Sequence, residues 1–347
     1  MRAALGLPLI ALVGCVPTFD DNLPLIEQPT LLSIQSEPAE AAPGKEVQLS
    51  ALVGVAQVDG ASPQVSWGLC KARKPLTELG PVNPVCIQAP AGAPNDIVDL
   101  GVAATVTATL PLDACRLFGP SLPEPMNGEP AGRPVDPDPT GGFYQPISAT
   151  LRSSGVTSLG AVRIFCPPSG LDQEQAAEFN GKYRNNQSPQ IQTLAARSES
   201  GGSAPILDEP EALVVSPKQV VRFEASWPTC PSSAECGDGV CSAGEDRSNC
   251  AEDCSTPKGC TGAENYVWFN PESRAVEPRH ESIRVSWFST AGRFSNAVTG
   301  RDENEVAETT TENTWTAPEA SGDVRVWAVI RDARGGQSFR SFVVSVR

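Results

Sequence analysis

Four cysteines and five carboxylates fall within residues 236–254, CGDGVCSAGEDRSNCAEDC. Such residues can bind a metal, exchange electrons or form disulfides. The spacings here are C-x4-C, C-x8-C and C-x3-C, so the C-x-x-C pairs typical of zinc sites and dithiol redox centres are missing. A segment with almost no large apolar residue needs cross-links to hold one shape. The pattern therefore favours disulfides over zinc or redox chemistry, with connectivity left open, for Cys230, Cys236, Cys241, Cys250, Cys254 and Cys260.

The acids of this segment raise a second possibility, because calcium is bound by six to eight oxygens from closely spaced carboxylates and carbonyls. The candidate ligands are Asp238, Glu245, Asp246 and Asp253. No D-x-[DN]-x-[DN]-G run of the EF-hand type is present. Asp238 and the following glycine also form a common turn dipeptide. Calcium binding and turn formation are thus the two hypotheses for these acids, and no other cofactor is predicted.

The remaining five cysteines divide into an N-terminal one and two pairs. Cys70 and Cys86 enclose fifteen residues, and closing such a loop contributes about 3 kcal/mol in the chain-entropy estimate. Cys115 and Cys166 would tie together the ends of a Pro-rich excursion. Eleven cysteines is an odd number, and setting Cys15 aside leaves ten that can pair completely.

The first fifteen residues, MRAALGLPLIALVGC, place one Arg before an apolar run and a small residue. The run is too short to cross a bilayer as a helix and has the order of an export signal. The stretch LVGC, Leu12 to Cys15, resembles the lipobox of bacterial lipoproteins. The resemblance implies removal of residues 1–14 and attachment of lipid to the Cys15 thiol. Two or three acyl chains at this residue would hold the protein firmly on a membrane. By analogy with that family, Val16 after the lipidated cysteine is not an inner-membrane retention signal. The resemblance therefore favours an outer-membrane or surface location in the bacterial envelope.

Composition points to an all-β chain and narrows its partners. The 347 residues suffice for two domains and contain 30 Gly and 33 Pro with little helical periodicity. The formal net charge of −15 disfavours nucleic acids and anionic lipid surfaces, whose binding depends on Lys and Arg.

Imidazole chemistry would have to use His280, the one histidine. We find no nucleophile elbow, Walker loop or H-E-x-x-H motif, so we predict no enzyme.

Two segments of the chain repeat one strand pattern. Residues 43–51, PGKEVQLSA, align without a gap on residues 217–225, PKQVVRFEA, with apolar residues at every second position. Each is followed later by VSW, ending at Trp67 and Trp287. Together with TWTAP at residues 314–318 and the final strands, the repeat resembles bacterial immunoglobulin-like and PKD-like β-sandwich domains.

This resemblance predicts an all-β fold of two immunoglobulin-like or PKD-like β-sandwich domains, the second carrying a small disulfide-rich insertion. Ser169 and Asp172 are expected to form the capping box of a short connector helix that ends at Phe179. The expected segments are a signal peptide 1–14, a lipidated tether 15–29, a first domain 30–170 with a solvated or docking Pro-rich loop 119–146, a connector 171–184, and a second domain 185–347 with the insertion 229–262.

The repeat also locates the insertion. Trp67 lies 16 positions after Ala51, whereas Trp287 lies 62 positions after Ala225. The second copy is therefore longer by about 46 residues, or by about 27 if Trp268 is the true counterpart of Trp67. Either way the cysteine-rich segment lies in a loop at one end of the second sandwich, where such domains often carry recognition.

The whole chain resembles a myxobacterial-type outer-membrane lipoprotein with a CGDGxCxxGExxxxCxxDC insert. We expect a lipid-anchored, non-enzymatic binding, adhesion or scaffold module, held on the membrane through Cys15, with a protein or glycan partner at the cell surface and no nucleic acid. The alternatives are a calcium-dependent ligand-binding module that uses the acidic insert, and an exported hydrolase with two carboxylates converging near His280.

Overall fold

A computed structural model describes residues 24–55, 63–74, 79–87, 96–124, 132–198, 203–205, 213–230, 236–237, 241, 245, 249–254, 259–305 and 307–347. Within these ranges the chain forms two β-sandwiches joined by a short helix. The predicted all-β fold class is confirmed, with two β-sandwich domains and a disulfide-rich insertion in the second. The predicted signal peptide 1–14, Cys15 and residues 16–23 lie outside the described residues.

The first sandwich packs a three-stranded sheet, ordered β1-β3-β6, against a five-stranded sheet, ordered β2-β8-β7-β4-β5. Leu49, Val65, Trp67 and Ile147 fill the space between the sheets. Besides its strands this part of the chain contains a 3-10 helix at Pro84–Cys86 and a helix α1 at Ala114–Phe118. Its strands are β1 (Thr30–Glu37), β2 (Glu40–Ala41), β3 (Glu46–Gly54), β4 (Val65–Cys70), β5 (Ile97–Val102), β6 (Thr105–Thr109), β7 (Phe143–Leu151) and β8 (Thr157–Ile164).

The second sandwich packs two five-stranded sheets, ordered β10-β9-β12-β18-β16 and β11-β20-β19-β15-β17, and carries a separate hairpin β13–β14. Phe223 lies at the centre of its core, with its ring within 6.2 Å of the rings of Trp287, Trp315 and Phe342. The strands are β9 (Thr193–Ser198), β10 (Ser203–Pro205), β11 (Leu213–Val215), β12 (Val220–Ser226), β13 (Asn265–Asn270), β14 (Ala275–His280), β15 (Ile283–Ser289), β16 (Arg293–Phe294), β17 (Val298–Arg301), β18 (Thr310–Thr316), β19 (Gly322–Asp332) and β20 (Gln337–Val346).

The two sandwiches share one topology, which settles the counterpart of Trp67. Strand β4 lies between β5 and β7, and β15 lies between β17 and β19 in the same way. In both domains a short strand pairs in parallel with the last strand, β2 with β8 and β11 with β20. Trp287 on β15 is therefore equivalent to Trp67 on β4. The second copy is therefore longer than the first by about 46 residues, not by about 27. This added segment includes the hairpin β13–β14 as well as the cysteine-rich segment.

The two sandwiches pack side by side through the outer face of β19. Along this strand Val326 and Ala328 point into the core of the second sandwich, whereas Trp327 and Val329 contact Leu32 of the first domain. A strand that is buried on both faces reads as a nearly unbroken apolar run. The run VRVWAVI at residues 324–330 is therefore the sequence signal of the domain interface.

Polar contacts extend this interface. The Gln337 side chain accepts a hydrogen bond from Ser33 Oγ at 2.8 Å and donates one to the backbone carbonyl of Ile34. Arg331 Nη2 donates to the carbonyl of Leu32 at 2.7 Å. The edge of β1 is thus bonded directly to β19 and β20, so the two domains form one continuous body.

The predicted tether 15–29 extends too far towards the first domain. Leu25 forms a parallel bridge with Ser289, and the Ile26 amide donates to the Ser289 carbonyl at 2.8 Å. The Ile26 side chain is buried in the interface between the domains. Three prolines suggested an open chain, but Ile26 supplies the apolar side chain that holds this end of the segment on the second domain.

The connector contains helix α2 (Gln173–Lys182), three residues longer than the helix expected to end at Phe179. Asp172 is its N-cap, as expected, but the capping-box partner is Gln175 rather than Ser169. The Asp172 side chain accepts from the Gln175 amide at 2.9 Å, and the Gln175 side chain accepts from the Asp172 amide at 3.0 Å.

The Pro-rich loop 119–146 is shorter and more anchored than predicted. Strand β7 already begins at Phe143. Before it, the Asp138 carboxylate accepts hydrogen bonds from the amides of Thr140 and Gly142 and from the Tyr144 hydroxyl, at 2.7 to 2.9 Å. Residues 125–131 lie outside the described residues.

The interface predicts a clear contrast between two valines of the same sheet. Val329 is fully buried between the domains, whereas Val214 on β11 is 60% exposed. We expect Val329→Ala to lower the free energy of unfolding by about 2 kcal/mol through lost burial and a small cavity. The matched Val214→Ala change should cost less than about 0.5 kcal/mol. Urea unfolding measures both, and equal losses would contradict the interface.

Candidate functional site

Charged side chains are buried where the two domains, the connector and the hairpin β13–β14 meet. Within the described residues they form one connected set of ion pairs and hydrogen bonds. We call this set the junction network: Glu40, Asp138, Tyr144, Arg163, Tyr183, Asn186, Glu264, Glu281, Asp332 and Arg334.

Glu40 on β2 is the centre of the first-domain half of this network. Its carboxylate accepts from the Tyr183 hydroxyl and, at 2.9 Å, from the Asn186 amide, both on the chain that follows α2. It also lies 3.6 Å from Arg163 Nε on β8. Arg163 in turn donates to Thr140 Oγ1 at 2.7 Å and to the Tyr144 hydroxyl at 3.0 Å. One carboxylate thus fixes the connector on the first domain.

Arg334 is the centre of the second-domain half. Its guanidinium, fully buried, donates from Nε to Glu281 at 2.6 Å and pairs with Glu264. The turn that carries Arg334 is held by Asp332, whose Oδ1 accepts from the Arg334 amide at 2.8 Å. The Asn186 side chain donates to the Asp332 carboxylate at 3.2 to 3.3 Å and joins the two halves.

Burial shifts the pKa of several members of the network. It raises the pKa of Asp332 to about 7 and the pKa of Tyr144 to about 12, and it also raises the pKa of Tyr183. Burial lowers the pKa of Arg334 to about 10, so this guanidinium stays charged at neutral pH. Both tyrosines therefore remain hydroxyl donors, and Asp332 titrates near neutrality.

Sequence reasoning missed this network. No motif or spacing rule singles out Glu40, Arg163 or Arg334. A usable signal was present, because Arg163 stands between two buried apolar residues in a strand. Lys, Glu, Arg and Asp are rarely buried without a partner, so each such residue predicts a partner that the sequence does not name.

The ten cysteines from Cys70 to Cys260 are all paired. The bonds are Cys70–Cys86, Cys115–Cys166, Cys230–Cys260, Cys236–Cys250 and Cys241–Cys254. The six cysteines of the insertion pair among themselves, and helix α3 (Ala251–Cys254) carries one of them. The insertion is thus a separately cross-linked unit within the second domain.

The insertion packs on the domain junction rather than standing away from it. Arg184, at the end of the connector, donates from Nε to the Cys241 carbonyl and from Nη2 to the Glu245 carbonyl at 2.8 Å. The Gly259 amide donates to the Asn185 carbonyl at 2.9 Å. One buried guanidinium therefore fastens the cross-linked unit to the connector.

The hairpin β13–β14 reaches back to the first domain. Arg279 on β14 donates to the Pro139 carbonyl at 2.6 Å, and its guanidinium lies 3.9 Å from the centre of the Trp268 ring. Gln175 of α2 donates to the Arg274 carbonyl at 2.6 Å. The predicted insertion 229–262 is thus only part of an added segment that extends through the hairpin and spans the junction.

The proposed calcium ligands are only partly described. Asp238 and Asp246 lie outside the described residues. The Asp253 carboxylate accepts from the Gly237 amide, 16 positions earlier in the chain, at 2.6 Å, and Glu245 is buried. Among the described residues, one group of three potential ligand atoms lies within 4.8 Å, and two of its members, Cys236 and Cys250, are joined in a disulfide. Calcium binding stays a prediction.

Two carboxylates do converge beside His280, as the hydrolase alternative requires. They belong to Glu264 and Glu281, both at most 4% exposed, and they converge on Arg334. Burial lowers the pKa of His280, which ends β14. The surroundings of the two carboxylates are those of a structural ion-pair cluster closed to substrate.

Two clefts flank the Pro-rich segment 132–138. A cleft of about 350 Å³ lies between this segment, α2 and the hairpin, with Phe179, Tyr183 and Trp268 in its wall. A larger cleft of about 850 Å³ lies on the other side, between the segment, α1 and residues 72–74. Concave surfaces of these sizes fall in the range of small-molecule sites.

No protein-family model matches the chain, and no curated protein matches it. Fibronectin(III)-like modules of CbhA from Clostridium thermocellum align over 92% of this chain and 94% of their own, with 10% identity and a TM-score of 0.20. Adhesin InvE from Yersinia pseudotuberculosis aligns over 92% and 61%, with 9% identity and a TM-score of 0.20. Three N-terminal domains of the bacteriophage RB49 outer capsid protein Hoc align over 92% and 59%, with 9% identity and a TM-score of 0.18. At such values the fold class rests on the strand order alone.

Among the described residues, no helix has both the length and the apolar character needed to cross a bilayer.

The position of Asp332 predicts how stability depends on pH. An acid whose pKa rises from 3.8 to about 7 on folding holds more protons in the folded state between these values. Its contribution to the free energy of unfolding therefore falls as pH rises from about 4 to 7. We expect Asp332→Asn to stabilise the chain at pH 8 relative to the native protein, by on the order of 1 to 4 kcal/mol, and to have a smaller effect at pH 5.

Asp323, exposed on the same strand, provides the control. Thermal unfolding of Asp323→Asn should follow the native pH profile. A profile of Asp332→Asn that is parallel to the native one from pH 5 to 8 would contradict the assignment.

Proposed function

We propose that the chain is a lipid-anchored, non-enzymatic scaffold or binding module of the bacterial envelope, attached through Cys15 and located at the outer membrane. The observation that carries the scaffold part is the buried junction network. Two domains joined by a flexible linker would leave each free to turn, but here Glu40, Arg334 and their partners tie both domains to the connector and the added segment.

The position of the insertion supports the same proposal. Five disulfides and a polar junction keep their geometry outside the cytoplasm, where thiols are oxidised. Because its inner surface contacts the connector, the insertion serves first as a brace between the domains. Its outward surface, together with the sandwich edges, is where we expect a protein or glycan partner to bind.

The anchor is tested by a single substitution. Cys15→Ser removes the thiol that would carry lipid, so we expect the protein to leave the membrane fraction and appear in the soluble extracytoplasmic fraction. Quantitative fractionation measures the change, with Cys15→Ala as a second lipid-free form. Retention of both variants on membranes would overturn the anchoring proposal.

The scaffold part is tested by cooperativity. If the junction network makes both sandwiches one unit, calorimetry of the chain should give a single transition with equal calorimetric and van't Hoff enthalpies. Arg334→Ala leaves two buried carboxylates unpaired and should cost about 3 to 5 kcal/mol, whereas Arg293→Ala at an exposed site should change little. Two separate transitions in the native chain would contradict a rigid scaffold.

A further inference from the structure

The larger cleft beside the Pro-rich segment has an apolar wall and a basic rim. Val82, Leu117, Phe118, Val135 and Phe143 form much of the wall, and Phe118 and Phe143 are less than 9% exposed. The cationic side chains at the cleft belong to Arg73, Lys74 and Arg133.

These cations stand out in a chain with a net charge of −15 and only six lysines. Some exposed cations elsewhere pair with acids, as Arg197 does with Glu224 and Lys218 with Glu319. Within the described part of the chain, neither Arg73 nor Lys74 forms an ion pair, and Lys74 Nζ donates to the Gly80 carbonyl. Two cations without an ion-pair partner among the described residues therefore meet at one apolar cleft.

The acids that line the same cleft are already engaged. Asp136 pairs with Arg133. Asp138 is saturated by donors from Thr140 and Tyr144 among others. Arg73, Lys74 and Arg133 outnumber these two carboxylates, so the rim keeps an excess of positive charge.

Arg73 reaches across the cleft, because its Nη2 donates to the Arg133 carbonyl. An anionic group at the rim would lie beside the charges of Arg73 and Lys74.

We propose that this cleft binds an anionic amphiphile, a molecule with one carboxylate or phosphate head and an unbranched apolar tail. The head lies at Arg73 and Lys74, and the tail covers the wall of Leu117, Phe118 and Val135. An acidic peptide fits the rim but leaves the apolar wall uncovered, and a neutral hydrocarbon leaves the charges of Arg73 and Lys74 without a counter-charge. The site is separate from the junction network and does not depend on the proposed scaffold role.

The test is equilibrium dialysis of the full chain carrying Cys15→Ser, which needs no detergent, against dodecanoate below its critical micelle concentration. We expect saturable binding of one molecule per chain. Dodecan-1-ol, which has the same tail without the charge, should bind at least tenfold more weakly, and acetate should not bind measurably. Monododecyl phosphate shows whether the head site accepts both anions or only a carboxylate, and binding of either anion supports the proposal.

Two variants locate the site. Arg73→Gln and Lys74→Gln, each shown to be folded by circular dichroism, should weaken dodecanoate binding at least fivefold, whereas Lys45→Gln removes an exposed lysine elsewhere in the same domain and should leave it unchanged. The proposal is overturned by any of three results: no saturable binding of either anion, equal affinity for dodecan-1-ol, or an equal effect of Lys45→Gln and the cleft variants.

Discussion

The buried guanidinium of Arg334 imposes the strongest constraint on this molecule. A charge that is removed from water must be matched by acceptors of good geometry, or the folded state loses several kcal/mol. Glu264 and Glu281 meet this requirement from the added segment, and the Arg184 carbonyl meets it from the connector. The second domain, its insertion and the connector therefore cannot adopt their positions independently, since each supplies part of the environment of the Arg334 side chain.

Glu40 plays the same part for the first domain. The charged groups around Glu40 and Arg334 differ in chemistry from the apolar patch beside them, which consists of Leu32, Trp327 and Val329. An apolar patch resists separation but tolerates sliding, because burial has no direction. Charged hydrogen bonds are directional and fix orientation. The junction combines both, so the relative orientation of the sandwiches is specified as well as their contact.

Sequence patterns predicted the local features of the fold well. Alternating apolar residues gave the strands, the repeated VSW gave the equivalent positions of Trp67 and Trp287, and Asp172 marked the start of α2. These signals are local, since each depends on residues a few positions apart. The pairing of Glu40 with Arg163, or of Arg334 with Glu281, joins residues far apart in the chain, and no spacing rule connects them. The candidate site was therefore placed in the insertion alone, whereas the buried charges lie where the insertion meets both domains.

The bridge between Leu25 and Ser289 sets how far the molecule can stand from a surface to which Cys15 is attached. Pro24 lies nine positions after Cys15, and its carbonyl accepts a hydrogen bond from the Ser289 amide. A chain of that length spans at most about 32 Å even when fully extended. The fixed point lies beside the seam between the sandwiches, so the proposed lipid on Cys15 would keep both domains close to the bilayer. The proposed partner would then approach them from the side, within the thin layer next to the membrane.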